Sequence, residues 1–235
     1  MRRVSYPSRV TSQPELHVSD DPADRVADLL VTAARAGENI VLTGGSSPGR
    51  AYELAAQREP DWSIATVWWG DERCVPPDDA LSNYKLAHDT LLSRLREQPR
   101  EVHRIRGELA PDDAARELDG ELDGVTLDFL LLGLGPDGHC ASLFPGSPQL
   151  DVTDRRAVAG PPGLKPFVER VTMTLPVLQA ARRIVFIVGG ESKADAVALA
   201  FGGEPRRDIP ASLTRLSQTT VEVYLDPAAA AKLLP

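Results

Sequence analysis

The chain has 235 residues, of which 42% are hydrophobic and 26% are charged, as is usual for a globular protein with a substantial core. The net charge of −8 argues against a general binder of nucleic acids, although a small anionic ligand would need only local cations. Cys74 and Cys140 are too few for a disulfide framework, and we interpret both as reduced thiols. No stretch resembles a signal peptide or a membrane span, so we expect a cytoplasmic protein without membrane or nucleic-acid partners.

Helical and strand patterns alternate along the first half of the chain. Residues 1–19 are polar and predict an edge strand or an irregular lead-in. Asp21-Pro22 has the pattern of an N-cap followed by proline at the first helical position, and Gly37 is a stop signal for that helix. The later patterns predict helices over 22–36, 48–58, 82–95 and 111–122, and strands over 39–43, 64–69 and 102–105.

The alternation continues in the second half, beginning with a nearly continuous apolar run over 126–132 that predicts a strand buried on both faces. Residues 150–169 are rich in proline, glycine and charge and predict a long surface loop that overlaps the next strand. The remaining patterns predict strands over 168–172, 183–188 and 221–225, helices over 175–180, 192–200 and 227–233, and a loop over 202–210. Such alternation favours an α/β fold with a mostly parallel sheet, in a single domain over 1–235.

The turn after the central strand carries Asp137 and His139 among Gly133, Gly135 and Gly138. In open α/β sheets, ligands bind beyond the carboxyl ends of the strands, so an acid and an imidazole at this place are positioned for chemistry. A lone histidine is more often structural than catalytic, but the glycines on both sides of this one favour a functional role.

The same three glycines satisfy the dinucleotide-binding pattern G-x-G-x-x-G, which requires a helix to open at the third glycine. Pro145, Gly146 and Pro148 leave room there for one short turn, so we reject a dinucleotide site. No second histidine or cysteine stands at metal-ligand spacing from the turn, and we expect no metal. The other three histidines have no flanking glycines of this kind, and we predict that His17, His88 and His103 are surface residues.

The segment TGGSSPG over 43–49 follows a strand and opens a helix. Glycines that turn backbone N–H groups inward, hydroxyl donors and a helix N-terminus together favour a phosphate. The alternative is an ordinary glycine turn. Arg50 and Ala51 stand where a nucleotide-binding P-loop has lysine and serine or threonine, so the pattern does not support a nucleotide.

Three further cations are candidates for binding an anion. Arg73 ends the triplet Asp71-Glu72-Arg73 directly after an apolar strand, and the alternative is a solvated acidic turn. Lys193 lies at the start of a predicted helix, where a bound anion would compensate the unfavourable helix dipole. Arg170 is ambiguous by itself, and Ser82-Asn83 is an ordinary helix-capping pattern.

Taken together and in this order, the motifs resemble those of the 6-phosphogluconolactonases, in the glucosamine-6-phosphate isomerase/6-phosphogluconolactonase family. The matching segments are TGGSSP over 43–48, GDERCVP over 70–76 with SN at 82–83, LLGLGPDGHCASLFPGSP over 131–148, RVTMTLP over 170–176 and GGESK over 189–193. The resemblance implies a Rossmann-like sheet with helices on both faces and hydrolysis of 6-phospho-D-glucono-1,5-lactone without a cofactor. It leaves open whether the chain is a monomer or a small homo-oligomer.

The resemblance also implies a role for each residue of the site. His139 would be the general base, Asp137 would orient it, and Arg73 would bind the substrate at the oxyanion or at the phosphate. The phosphorylated end of the substrate would be held by Thr43, Gly44, Gly45, Ser46, Arg170 and Lys193.

Two alternatives remain at this point. A glucosamine-6-phosphate deaminase would share the phosphate loop, but its acidic motif resembles D-E-Y more than the D-E-R found here. A non-catalytic sugar-phosphate sensor would usually carry a DNA-binding module, for which the residues before the first helix are too few.

Overall fold

The computed structural model describes residues 13–164 and 167–233. Its helices are α1 (Pro22–Ala36), α2 (Ser46–Arg58), α3 (Asn83–Thr90), α4 (Pro111–Glu121), α5 (Leu175–Gln179), α6 (Ala194–Phe201) and α7 (Pro227–Ala230). Its strands are β1 (Glu15–Val18), β2 (Asn39–Leu42), β3 (Thr66–Trp69), β4 (Asp71–Arg73), β5 (Glu101–His103), β6 (Phe129–Leu132), β7 (Ala157–Gly160), β8 (Arg170–Met173), β9 (Ile184–Val188) and β10 (Val221–Leu225). No described helix is both long enough and apolar enough to cross a membrane.

Seven strands form a parallel sheet in the order β1-β10-β9-β6-β2-β3-β5, which confirms the predicted α/β fold. The central strand β6 is buried along its whole length, as its apolar sequence predicts. The edge strand β1 is exposed throughout and confirms the edge strand predicted within 1–19, of which residues 1–12 lie outside the described part of the chain.

The strand order reverses between β2 and β6. From β2 the chain moves to one side of the sheet, through β3 to β5, and then returns to form β6 on the other side of β2. The loops after β2 and β6 therefore leave the sheet in opposite directions and open a crevice at its carboxyl edge, where ligands bind in folds of this kind.

The remaining three strands form a small antiparallel sheet, β4-β8-β7, which the sequence analysis missed. Residues 71–73 form strand β4, so the alternative of a solvated acidic turn is wrong, and the Asp71 and Glu72 carboxylates accept hydrogen bonds from within the protein. The loop predicted over 150–169 was wrong for 157–160, which form β7 against β8; residues 165–166 lie outside the described residues.

Several predicted boundaries also differ from the structure. The helix predicted over 82–95 ends at Thr90 and is followed by a 3-10 turn over Leu92–Arg94, and the central strand begins at Phe129 rather than at residue 126. Another 3-10 turn, Glu191–Lys193, precedes α6, and a further one, Pro210–Leu216, begins at the last residue of the loop predicted over 202–210. Helix α1 begins at Pro22, but the Asp21 side chain pairs with Arg50 instead of capping the helix.

Candidate active site

A cleft of about 570 Å³ opens at the crevice between the loops that follow β2 and β6. Its walls include most of the residues singled out in the sequence: Thr43, Gly44, Gly45, Ser46, Arg73, His139, Arg170 and Lys193. The remaining predicted site residue, Asp137, lies against His139. Groups that are far apart along the chain therefore share one cavity, as the parallel sheet predicts.

The imidazole of His139 is held by the acid two residues before it. Nδ1 lies 2.5 Å from Oδ1 of Asp137, and the same oxygen accepts a hydrogen bond from the His139 backbone N–H at 3.2 Å. Burial alone would raise the pKa of the Asp137 carboxyl, but the hydrogen bond and charge interaction with His139 outweigh it, and the pKa lies below its usual value. Because an ionised carboxylate only accepts hydrogen bonds, Nδ1 of a neutral His139 carries the proton and Nε2 is left as the basic nitrogen.

Two neighbours enclose the His139 ring. Gly135 packs so closely that a Cβ atom at this position would lie 2.0 Å from Nδ1. The ring of Phe144 lies 4.5 Å from that of His139, tilted by 47°. Gly138 has a φ of +84°, and the chain directly beyond it does not open a helix, as Pro145, Gly146 and Pro148 predict.

The glycine loop after β2 leads into α2, which begins at Ser46. Gly45, the N-cap residue, has a φ of +117° and provides no side-chain cap, so the N–H groups of Ser46 and Ser47, two residues of the cleft wall, remain available as donors. The buried hydroxyl of Tyr52 donates to the carbonyl of Thr43 at 2.8 Å and accepts from its N–H at 2.9 Å. Tyr52 thus fixes the loop, and burial raises the pKa of its hydroxyl.

Arg73 and Arg170 stand opposite each other on β4 and β8. Nη1 of Arg73 donates to the carbonyl of Leu81 at 2.5 Å, whereas Nε and Nη2 of Arg170 donate to the carbonyls of Val168 and Leu164. Burial lowers the pKa of Arg170, and the nearby charge of Arg73 lowers it further. Two neighbouring cations on the wall of the cleft are suited to binding an anionic ligand.

Lys193 reaches the same cleft from the loop after β9. Its backbone N–H donates to the carbonyl of Gly190, whose own N–H donates to Oδ2 of Asp226 at 2.7 Å. Asp226 also caps α7 by accepting from the N–H of Ala229, so one carboxylate ties the lysine-bearing loop to a helix. Burial lowers the pKa of Lys193, an effect that the charge of Asp137 partly opposes.

Two further residues of the cleft wall, Asp71 and Asn83, were not predicted as site residues. Nδ2 of Asn83 donates to the backbone oxygen of Asp71 at 2.9 Å and to its Oδ1 at 3.2 Å, and the hydroxyl of Ser142 donates to Oδ2 at 2.6 Å. Asn83 also packs against Gly44, where a Cβ atom would lie 2.0 Å from Oδ1. The capping pattern Ser82-Asn83 was the signal available in the sequence, and Ser82 is the N-cap of α3.

The other histidines and the cysteines lie outside this cleft wall. His17 and His88 are exposed as predicted, whereas the prediction for His103 was only partly right, because its ring stacks on Trp68 at 3.8 Å.

Within the described residues, one group of metal-ligating side chains, Glu15, His17 and Glu222, stands on β1 and β10. Both Glu222 oxygens are bound by Arg183, at 2.7 and 2.9 Å. Both cysteines are free thiols.

The sequence model of the family described as glucosamine-6-phosphate isomerases/6-phosphogluconolactonase matches residues 15–223. The chain belongs to this family. A 6-phosphogluconolactonase of Mycobacterium leprae is 39% identical over 89% of this chain and 91% of the relative. A 6-phosphogluconolactonase of Streptomyces coelicolor is 34% identical over 95% of this chain and 96% of the relative. A probable 6-phosphogluconolactonase of Arabidopsis thaliana is 37% identical over 83% of this chain and 81% of the relative.

Solved structures of the family agree with the fold. A 6-phosphogluconolactonase from Trypanosoma cruzi superimposes with a TM-score of 0.83 at 26% identity and covers 97% of this chain and 100% of the other. A monomeric glucosamine-6-phosphate deaminase superimposes with a TM-score of 0.81 at 21% identity, a likeness that shows the shared fold alone.

Proposed function

We propose that this chain hydrolyses 6-phospho-D-glucono-1,5-lactone to 6-phosphogluconate, the lactone-opening step of the pentose phosphate pathway. The observation that carries the proposal is that the His139–Asp137 pair shares one cleft with Arg73, Arg170 and Lys193. Hydrolysis of a phosphorylated ester requires a base near the carbonyl group and anion-binding groups near the phosphate. The relatives named 6-phosphogluconolactonase support this substrate within the family.

In this reaction, Nε2 of His139 removes a proton from water as the water attacks the lactone carbonyl. The bond between the carbonyl carbon and the ring oxygen then breaks, and the imidazolium returns the proton to that oxygen, which becomes a hydroxyl group. Asp137 holds the proton on Nδ1 and stabilises the imidazolium that forms, so its lowered pKa keeps it ionised for this role. A base placed in this way contributes about 10²- to 10⁴-fold to the rate. A lactone is an activated ester, so the step needs neither a covalent nucleophile nor a cofactor.

Arg73 binds the substrate at one of two places, the developing oxyanion or the phosphate. Nε of Arg73 is buried and has no hydrogen-bond partner among the described residues, so the guanidinium retains a donor for a ligand. Stabilisation of the oxyanion would contribute to the rate about as much as the base does. The two roles differ in their kinetic signature, since loss of an oxyanion donor lowers kcat whereas loss of a phosphate donor raises KM.

The phosphate is held by the glycine loop and by two of the cations. Thr43, Gly44, Gly45 and Ser46 place backbone and hydroxyl donors at the start of α2, and Arg170 and Lys193 supply positive charge. Anchoring this remote group fixes the carbonyl against His139 and so converts binding energy into rate. Thr43 contributes through its side chain, because Tyr52 occupies its backbone N–H and carbonyl.

The test is to add the protein to freshly generated lactone in a pH-stat and follow the release of acid. A parallel reaction without protein is essential, because the lactone opens unaided in water. Acid release faster than this control is the expected result. A rate equal to the control, or release of ammonia from glucosamine 6-phosphate, would overturn the proposal.

Several properties remain predictions. We expect the whole chain to act as one domain in the cytoplasm, as a monomer or a small homo-oligomer, without nucleic-acid partners. Size-exclusion chromatography with light scattering tests the oligomeric state.

A further inference from the structure

Two adjacent acids of strand β4, Asp71 and Glu72, are both buried, with 5% and 2% of their surfaces exposed. Burying an ionised carboxylate costs several kcal/mol unless donors compensate it. Neither acid forms an ion pair with another described residue, so hydrogen bonds must compensate both. The two acids differ in the number of hydrogen bonds that their carboxylates accept.

Glu72 accepts four hydrogen bonds, three of them from the start of α3. Its Oε1 accepts from the backbone N–H groups of Arg73 and Asn83, each at 2.7 Å. Its Oε2 accepts from the hydroxyl of Ser82 at 3.0 Å and from the N–H of Tyr84 at 2.7 Å. With two donors on each oxygen, this carboxylate has a structural role and does not line the cleft.

Asp71 has only half as many hydrogen bonds to its side chain. Its Oδ1 accepts from Asn83 and its Oδ2 accepts from Ser142, and both donors are uncharged. A carboxylate has about four acceptor positions, so about two are unused. Unlike Glu72, Asp71 lines the cleft that holds His139 and the three cations.

We propose that Asp71 determines specificity by accepting a hydrogen bond from a ring hydroxyl of the bound sugar lactone, an inference that rests on the proposed function. A negative carboxylate repels the phosphate and the carbonyl oxygen of the substrate, which leaves the hydroxyl groups as its complementary ligands. Ser142 and Asn83 fix the carboxylate before the substrate binds, so the contact costs little ordering. Ser142 also places Asp71 beside the turn that carries His139, and the hydroxyl contact thus orients the ring relative to the base.

The experiment compares the natural lactone with its 2-deoxy, 3-deoxy and 4-deoxy analogues, using wild type, Asp71→Asn and Glu72→Gln. Wild type is expected to lose about 10- to 100-fold in kcat/KM on one deoxy analogue, the loss expected for a hydrogen bond to a charged group. Asp71→Asn is expected to lower kcat/KM on the natural lactone by a similar factor and to remove most of the penalty for that one analogue. Glu72→Gln is expected to lower the melting temperature and to change all four substrates by one common factor.

A single common factor for Asp71→Asn on all four lactones would overturn the inference, as would the same change of selectivity in Glu72→Gln. If Asp71→Asn does not fold, the wild-type enzyme decides, because equal kcat/KM on all four lactones would exclude the contact. Failure of the proposed function is distinguishable, since the wild type would then open none of the lactones faster than buffer does.

Discussion

Gly135 and His139 are in such close contact that no side chain fits between them. A Cβ atom added to Gly135 would lie 2.0 Å from Nδ1 of His139 and 2.7 Å from Oδ1 of Asp137. The glycine therefore makes room for the hydrogen bond that sets the tautomer of the imidazole. Flexibility of the turn is not required to explain why this position is glycine.

We expect Gly135→Ala to reduce kcat by about 100-fold, because the added methyl group must push the imidazole out of its position against the substrate. Initial rates measured in the pH-stat give this value. Gly120→Ala is the matched control, since nothing lies within 4 Å of a Cβ atom there and the residue belongs to α4. That control is expected to keep full activity; unchanged kcat in Gly135→Ala would show that the turn tolerates displacement of His139.

His139→Ala is expected to retain binding of 6-phosphogluconate and to lose about 10²- to 10⁴-fold in kcat, because it removes the base and leaves the phosphate-binding groups in place. Calorimetric titration gives the affinity and the pH-stat gives kcat. His88→Ala replaces an exposed histidine on α3 and should match the wild type in both measurements. An unchanged kcat in His139→Ala would remove this residue from the mechanism.

Lys193→Ala is expected to raise KM by roughly 10- to 100-fold with a smaller effect on kcat, since a charged hydrogen bond to the phosphate is lost. Lys232→Ala serves as the control, because that lysine is exposed and pairs with Asp195. Steady-state kinetics of both variants decide the question. A fall in kcat at constant KM would contradict the assignment of Lys193 to the phosphate.

The lowered pKa of Lys193 predicts a pH dependence of ligand binding. Because burial favours the neutral amine, Lys193 loses its charge at a lower pH than an ordinary lysine does. Affinity for 6-phosphogluconate should therefore be complete on the acidic side of this pKa and decrease as the pH rises through it. Lys193→Arg keeps the charge and should bind with constant affinity across the same alkaline range.

The free energy of unfolding of the unliganded protein should respond to pH in the opposite direction to the ligand affinity. Between the folded pKa of Lys193 and the higher unfolded value, the unfolded chain binds more protons, so the free energy of unfolding rises with pH. Chemical denaturation across this range measures the slope. An alkaline loss of affinity that persists in Lys193→Arg would assign the titration to another group.

The sequence was sufficient to predict the residues that end the strands. Thr43, Arg73 and His139 each follow an apolar run that predicts a buried strand, and parallel strands bring such ends to one edge of the sheet. The order of the strands and helices is enough to place these residues together, so most of the cleft wall could be predicted from the sequence.

The missed features depend on contacts between distant segments. Strand β4 consists of three charged residues, which by themselves favour a turn, and it is stabilised by donors from α3 that no local pattern reveals. Strand β7 is a four-residue run in a segment rich in proline, and only its pairing with β8 makes it a strand. Three residues hold parts of the site in place, namely Tyr52 at Thr43, Phe144 at His139 and Asp226 at Gly190. In the sequence, each is equally typical of a core position or a helix end, so none could be identified as a functional contact.

The bond between Tyr52 and Thr43 has a consequence for how the substrate arrives. Tyr52 belongs to α2, the helix whose first residues line the cleft, and its hydroxyl already engages both the N–H and the carbonyl of Thr43. Under the proposed function, the phosphate would meet a loop whose backbone at Thr43 is already fixed by folding, which lowers the ordering cost of binding.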